Sequence, residues 1–265
     1  PRYYPLMYRA DISQLLTFFL AALLLSAGCS DRDLRVFDTK CGNLASPLGI
    51  HPDRVEFSWK LECASQGVSQ SAYQILVSDE MDELKAGKAI LWNSGITDSD
   101  ASLHITYGGK PLVPFKKYFW KLRVWDHDGK ASSWSEPSWF VTAFDGQTGW
   151  EGAKWIVYEE MPDSMKLVPG VHSHSANTRF SEILGERCRK RYVTPCFRKE
   201  FEARKKIKNA FVAVSGLVQY ELSLNGEKVS RRFLAPGWTN YDKTCLYNIY
   251  DVTAQIKAGK NALGA

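Results

Sequence analysis

Apolar and polar residues alternate along much of this chain, the two-residue period of a half-buried β-strand. Val55, Phe57, Trp59 and Leu61 interleave with Glu56, Ser58, Lys60 and Glu62. Tyr73, Ile75 and Val77 repeat the pattern, as do Tyr118, Trp120, Leu122 and Val124 before a turn at Asp128-Gly129. Trp139-Phe140-Val141 returns from that turn. Between these strands, Asp79 to Gly87 predicts a short helix, with Asp79 as N-cap and Gly87 as its stop. Leu91 to Gly95 ends in a turn. One small sandwich over 35–144 accounts for all of this.

The second half carries the same period more loosely. Phe197, Lys199 and Phe201 alternate with Arg198 and Glu200, and Ala210 to Val214 predicts the next strand. Tyr220, Leu222 and Leu224 alternate with Glu221 and Ser223, and Asn225-Gly226 follows at once. That dipeptide tolerates the positive φ of a type I′ turn, so the chain is expected to double back through Glu227-Lys228-Val229. Ala235-Pro236-Gly237-Trp238 breaks the next segment, and Leu246 to Asp251 predicts a further strand. Ile256 to Leu263 predicts a turn entering one more strand as the chain reaches Ala265. On that expectation the second sandwich, 150–265, is incomplete. Residues 159–191 are polar, Pro-broken and aperiodic, a long surface excursion.

The chain has 265 residues, 13% of them aromatic with nine tryptophans, and a net charge of +5. Clustered Trp and Tyr suit either a sandwich core or a sugar-stacking surface. Part of the positive charge sits in two runs, Arg187 to Arg191 and Arg204-Lys205-Lys206, which read as solvated loop or strand-edge charge. No nucleic-acid-binding motif accompanies them, so no nucleic-acid partner is expected. His172 and His174 form a His-Ser-His in the excursion without a third ligand, and solvated loop histidines are the expectation. No metal site is expected from the six cysteines, which lack C-x-x-C spacing. Cys188 and Cys196 could close a small loop, but free thiols fit equally, and no disulfide is assigned.

Ile12 to Ala27 is a leucine-rich run too short to span a bilayer comfortably. It ends in Ser26-Ala27-Gly28-Cys29, small residues of the kind that close a secretory signal. A cysteine there resembles the bacterial lipobox, although Ser26 stands where the pattern prefers Leu and Leu25 lies one place early. The resemblance implies a lipoprotein-type signal peptide over 1–28, with Met7 as start, and lipid on Cys29. Residues 29–34 would then tether an exported, membrane-anchored protein, periplasmic or at the cell surface.

Two further resemblances carry the fold. Trp on an early strand, Tyr on the next, and Tyr-x-Trp-x-Leu-x-Val before a Gly turn resemble a fibronectin type III domain. Ser133-Trp134-Ser135-Glu136-Pro137 strengthens this, because Trp134 can stack between the cationic heads of Lys121 and Arg123 as a structural brace. In the second half, the Tyr-rich strand, Asn-Gly, Ala-Pro-Gly-Trp-Thr-Asn-Tyr-Asp-Lys and Tyr-Asn-Ile-Tyr-Asp-Val-Thr resemble the non-catalytic N-terminal module of bacterial α-L-rhamnosidases. Trp150 to Ile156 looks like the entry to that module. The implied fold is all-β, a fibronectin type III-like sandwich followed by a β-jelly-roll sandwich.

That family is made of inverting glycosidases whose catalytic carboxylates lie on a helical (α/α) barrel, and these residues show no such helical pattern. No catalytic residue is therefore assigned. The resemblance implies the N-terminal modules of an exported enzyme that releases terminal α-L-rhamnose from a rhamnose-containing glycan. The alternative is a stand-alone carbohydrate-binding surface lipoprotein. Related jelly rolls bind sugar, sometimes with Ca²⁺, which makes Trp238, Tyr241 and Asp242 the candidate carbohydrate-binding residues. The competing reading packs Trp238 and Tyr241 into the sandwich rim.

Overall fold

The computed structural model describes residues 34–88, 90–144, 149–150, 152–157, 195–217 and 219–265. Cys29, the leucine-rich run, Cys188, and the excursion with His172 and His174 lie outside the described residues. The chain divides between Ala143 and Phe144 into two compact units.

The first unit is a two-sheet sandwich. One sheet orders β1 (Arg35–Cys41), β3 (Glu56–Glu62) and β7 (Ile105–Thr106). The other orders β2 (Leu48–Ile50), β9 (Ser138–Thr142), β8 (Lys117–Asp126), β4 (Gln70–Ser78) and β5 (Trp92–Asn93), with β6 (Thr97–Asp98) also on β4. The alternation predicts the inner faces correctly. Val55, Phe57 and Trp59 from β3 and its approach meet Ile75, Val77, Tyr118, Trp120, Leu122 and Val124, all buried. Phe57 lies 4.3 Å from Trp120 between ring centroids, and Trp59 meets Tyr73 edge-on at 5.4 Å. The Trp59 indole N–H donates to Gln70 Oε1 at 3.0 Å. The Gln70 amide in turn donates to the Ser99 and Ala101 carbonyls at 3.0 and 2.9 Å, so this buried side chain is fully used.

The short helix forms as α1 (Met81–Lys85), and Gly87, at φ +77, follows its end. Its cap differs from expectation. Glu80 occupies the N-cap position without a side-chain cap bond. Asp79 instead receives Lys116 Nζ at 2.6 Å, a charge-assisted bond. Leu84 of α1 is wholly buried, as is Leu76, which points to the opposite face of β4 from Ile75.

The second unit has a smaller core. Its sheets are β10 (Arg198–Ala203), β15 (Gly259–Gly264), β12 (Ser223–Leu224) and β13 (Glu227–Lys228), and a pair, β11 (Phe211–Ser215) with β14 (Tyr247–Asp251). Leu222, Leu224, Tyr250 and Val252 form the buried cluster, with Val212, Val214, Tyr220 and Leu263 packed against it. Asn225 and Gly226 adopt φ +54 and +86, the two positive values a type I′ turn requires.

Three expectations for this unit change. The strand over Tyr220 to Leu224 shrinks to Ser223–Leu224, because the Tyr220 N–H donates to the Ala235 carbonyl rather than to a ladder. β10 is exposed along nearly its whole length, so its alternation does not bury Phe201. The last segment is a formed strand rather than one cut off at its start: β15 pairs with β10 on one side and β12 on the other.

Candidate functional site

The three residues proposed for carbohydrate binding fall in one loop of the second unit, Ser230 to Leu246, between β13 and β14. It is fastened at several points. Ala235 is buried, and its carbonyl accepts the Tyr220 N–H at 3.2 Å. The Asn240 carbonyl accepts both the Lys243 and Thr244 N–H groups at 2.9 Å, and the Asn240 side chain accepts from the Asp242 N–H at 3.1 Å. The Thr239 hydroxyl donates to the Thr244 carbonyl. Arg232 Nη1 donates to the Asn248 side chain at 3.3 Å, and Asn248 donates to Tyr220 Oη at 3.1 Å. Tyr220 and Tyr250 share a hydroxyl–hydroxyl bond of 3.1 Å. Burial, then the bond to Tyr250, pushes the Tyr220 phenol above its ordinary range, so it stays protonated as a hydrogen-bonding strut.

On this frame the apolar side chains point outward. Trp238 is 77% exposed, which corrects the expectation that it packs into the rim. Phe233 is 92% exposed and Leu234 65%, and Leu246 beside Gly237 is exposed as well. Tyr241 is half-buried and Asp242 is exposed. Ca²⁺ takes six to eight oxygen ligands. Asp242 brings one carboxylate, and the neighbouring Asn240 oxygen accepts its N–H. Among the described residues no group of three or more His, Cys, Asp or Glu side chains could hold a metal. The sequence singled out Trp238 but not Phe233 and Leu234. The available signal was Arg231-Arg232 directly before two apolar residues and a Pro-Gly break, with no alternation to bury them.

The first unit carries a different arrangement, on the outer face of β8. The Trp134 ring sits under Lys121 Nζ at 5.0 Å and Arg123 Cζ at 4.7 Å, as the sequence predicted. Arg123 also lies 4.7 Å over Trp125 and donates twice to Gln74 Oε1, at 3.0 and 3.1 Å. Lys117 lies 4.0 Å over Trp139. Every cation here is consumed by an aromatic ring or amide of the same face, the arrangement of a brace.

Residues 36–145 match the family described as Rha78A-like, N-terminal immunoglobulin domain, and residues 205–265 match the α-L-rhamnosidase N-terminal domain. An α-L-rhamnosidase from Formosa agariphila is 35% identical over 83% of this chain and 22% of its own length. One from Streptomyces avermitilis is 32% identical over 87% of this chain and 21% of its own. A solved α-L-rhamnosidase from Dictyoglumus thermophilum superposes with a TM-score of 0.69 at 34% identity, covering 89% of this chain and 25% of that one. The chain thus spans about a fifth of the length of the curated relatives it matches.

Proposed function

Because this chain is homologous to the non-catalytic N-terminal domains of the α-L-rhamnosidase family, we propose that it forms the front modules of an exported α-L-rhamnosidase releasing terminal α-L-rhamnose from glycans. The observation that carries this reading is the pair of family matches in order, immunoglobulin-like module then rhamnosidase N-terminal module. Glycosidic cleavage by inversion needs two carboxylates roughly 6.5–9.5 Å apart, one protonating the leaving oxygen and one activating water. In this reading both come from a catalytic region, and the two sandwiches hold that region in place. The test is a chimera in which residues 34–265 replace the matching segment of the Formosa agariphila enzyme. Hydrolysis of an aryl α-L-rhamnoside well above that of the segment-deleted enzyme is expected; a chimera no better than the deletion contradicts the reading.

Export is part of the same proposal. The leucine-rich run ending in Ser26-Ala27-Gly28-Cys29 supports a signal peptide with lipid on Cys29 as membrane anchor. Radiolabelled palmitate should enter the wild-type protein and not Cys29→Ser; equal labelling of both removes Cys29 from this role.

A further inference from the structure

We propose that the Ser230 to Leu246 loop is a protein-docking face whose occupant is the catalytic region of an α-L-rhamnosidase polypeptide, met through the loop's exposed apolar and cationic side chains. This rests on the reading above and deepens it, by assigning the contact to named residues.

Two observations make the loop a built surface. Its apolar side chains are presented to water: Phe233 at 92%, Trp238 at 77% and Leu234 at 65% exposure, with Leu246 beside them. Clustered exposure of this kind marks interaction surfaces in soluble proteins. The backbone beneath is held, through the buried Ala235, the Tyr220–Ala235 bond, the Asn240 turn and the chain from Arg232 through Asn248 to Tyr220. Leu234 adopts φ +57, a left-handed conformation that non-glycine residues populate only where surroundings impose it.

The chemistry favours a protein over a sugar. A pyranose ring asks for one flat aromatic with polar groups converging at its edge. This loop exposes two aromatics, Phe233 and Trp238, and two leucines, with Tyr241 half-buried, while the Asn240 side-chain oxygen already accepts the Asp242 N–H. Exposed aromatic and aliphatic groups in company with arginine are the composition of a protein interface. Arg231, Arg232 and Lys243 are exposed in the same loop, against the single carboxylate of Asp242, so the partner surface carries acidic groups beside its apolar ones. The relatives indicate which protein. Each carries these modules in a polypeptide of which they are about a fifth, so the remaining chain is present in cis at high effective concentration.

The test measures binding of the 265-residue chain, by calorimetry or surface plasmon resonance, to the part of the Formosa agariphila enzyme beyond its matching segment. The wild type is expected to bind, and Phe233→Ser with Trp238→Ser to bind at least tenfold more weakly while keeping the circular dichroism spectrum and melting curve of the wild type. Arg231→Glu with Lys243→Glu, which leaves the apolar groups in place, is expected to weaken binding several-fold and flatten its salt dependence. If the wild type and both variants bind alike, the docking face is wrong and the module reading stands. If the wild type does not bind, the docking face is equally overturned, and the module reading is decided separately by hydrolysis in the chimera. Saturable binding of L-rhamnose that Trp238→Ser abolishes, or self-association that Phe233→Ser abolishes, overturns the proposal in favour of a sugar site or a second copy.

Discussion

Trp134 shows how far single residues can be read and where reading stops. Its place between Lys121 and Arg123 follows from strand periodicity plus the nearby Ser-Trp-Ser-Glu-Pro, because residues two apart on a strand share a face. The same periodicity predicts Lys121 to be solvated, yet only 7% of it is exposed, because the indole lies over its stem and head. Trp134→Ala should lower the stability of the first unit by about 1–2 kcal/mol, the range of a partly desolvated cation–π contact, in urea titration. Trp134→Phe should lose less. Burial also holds the Lys121 ammonium below the usual lysine range. The unfolded chain binds that proton more tightly, so this residue's contribution to stability rises with pH up to the ordinary lysine value near 10.5. Between pH 8 and 10.5, the wild type should therefore gain on Lys121→Met in unfolding midpoint. A constant gap would show that burial does not perturb Lys121.

At the scale of elements, strands with one buried face were legible and segments with none were not. β3, β4 and β8 lie where clean alternation puts them, because two sheets enclose their inner residues. β10 has the same alphabet but little above it, so pattern and burial part company there. The helix cap failed for a different reason: the ion pair with Lys116, 37 positions away, is invisible to local sequence. The Asn225-Gly226 turn was legible, but not what Asn225 does besides turning. Its side chain accepts the Ala262 N–H at 3.0 Å and donates to the Gln255 carbonyl and Asn261 Oδ1 at 3.0 and 2.9 Å, tying the β12–β13 hairpin to β15. Asn225→Gly keeps the positive φ and loses these three bonds, and should cost the second unit about 3 kcal/mol at roughly 1 kcal/mol per net bond. Asn225→Ala adds backbone strain and should cost more. Equal melting temperatures for the two variants would show that the left-handed geometry contributes nothing.

Across the whole molecule, the two units differ in how much apolar surface they keep for themselves. The first encloses Phe57, Trp59, Tyr118, Trp120 and Phe140 almost completely. The second buries four residues in its central cluster and leaves Trp155, Phe233, Leu234 and Trp238 largely in water. A sequence records hydrophobicity but not what covers it, which is why Trp238 could be read both as a carbohydrate-binding residue and as rim packing, and why Phe233 and Leu234 were not singled out. The family resemblance, by contrast, was legible from ordered motifs, and the same order appears in the two family matches. Residues 36–145 and 205–265 match N-terminal domain families of α-L-rhamnosidases, and in the function proposed above bond cleavage lies outside them. The direct check is to incubate the purified chain with an aryl α-L-rhamnoside across pH 4 to 9 and follow aglycone release. Release no faster than in buffer is expected at every pH; sustained turnover by this chain, removed by substituting one of its own carboxylates, would contradict the assignment.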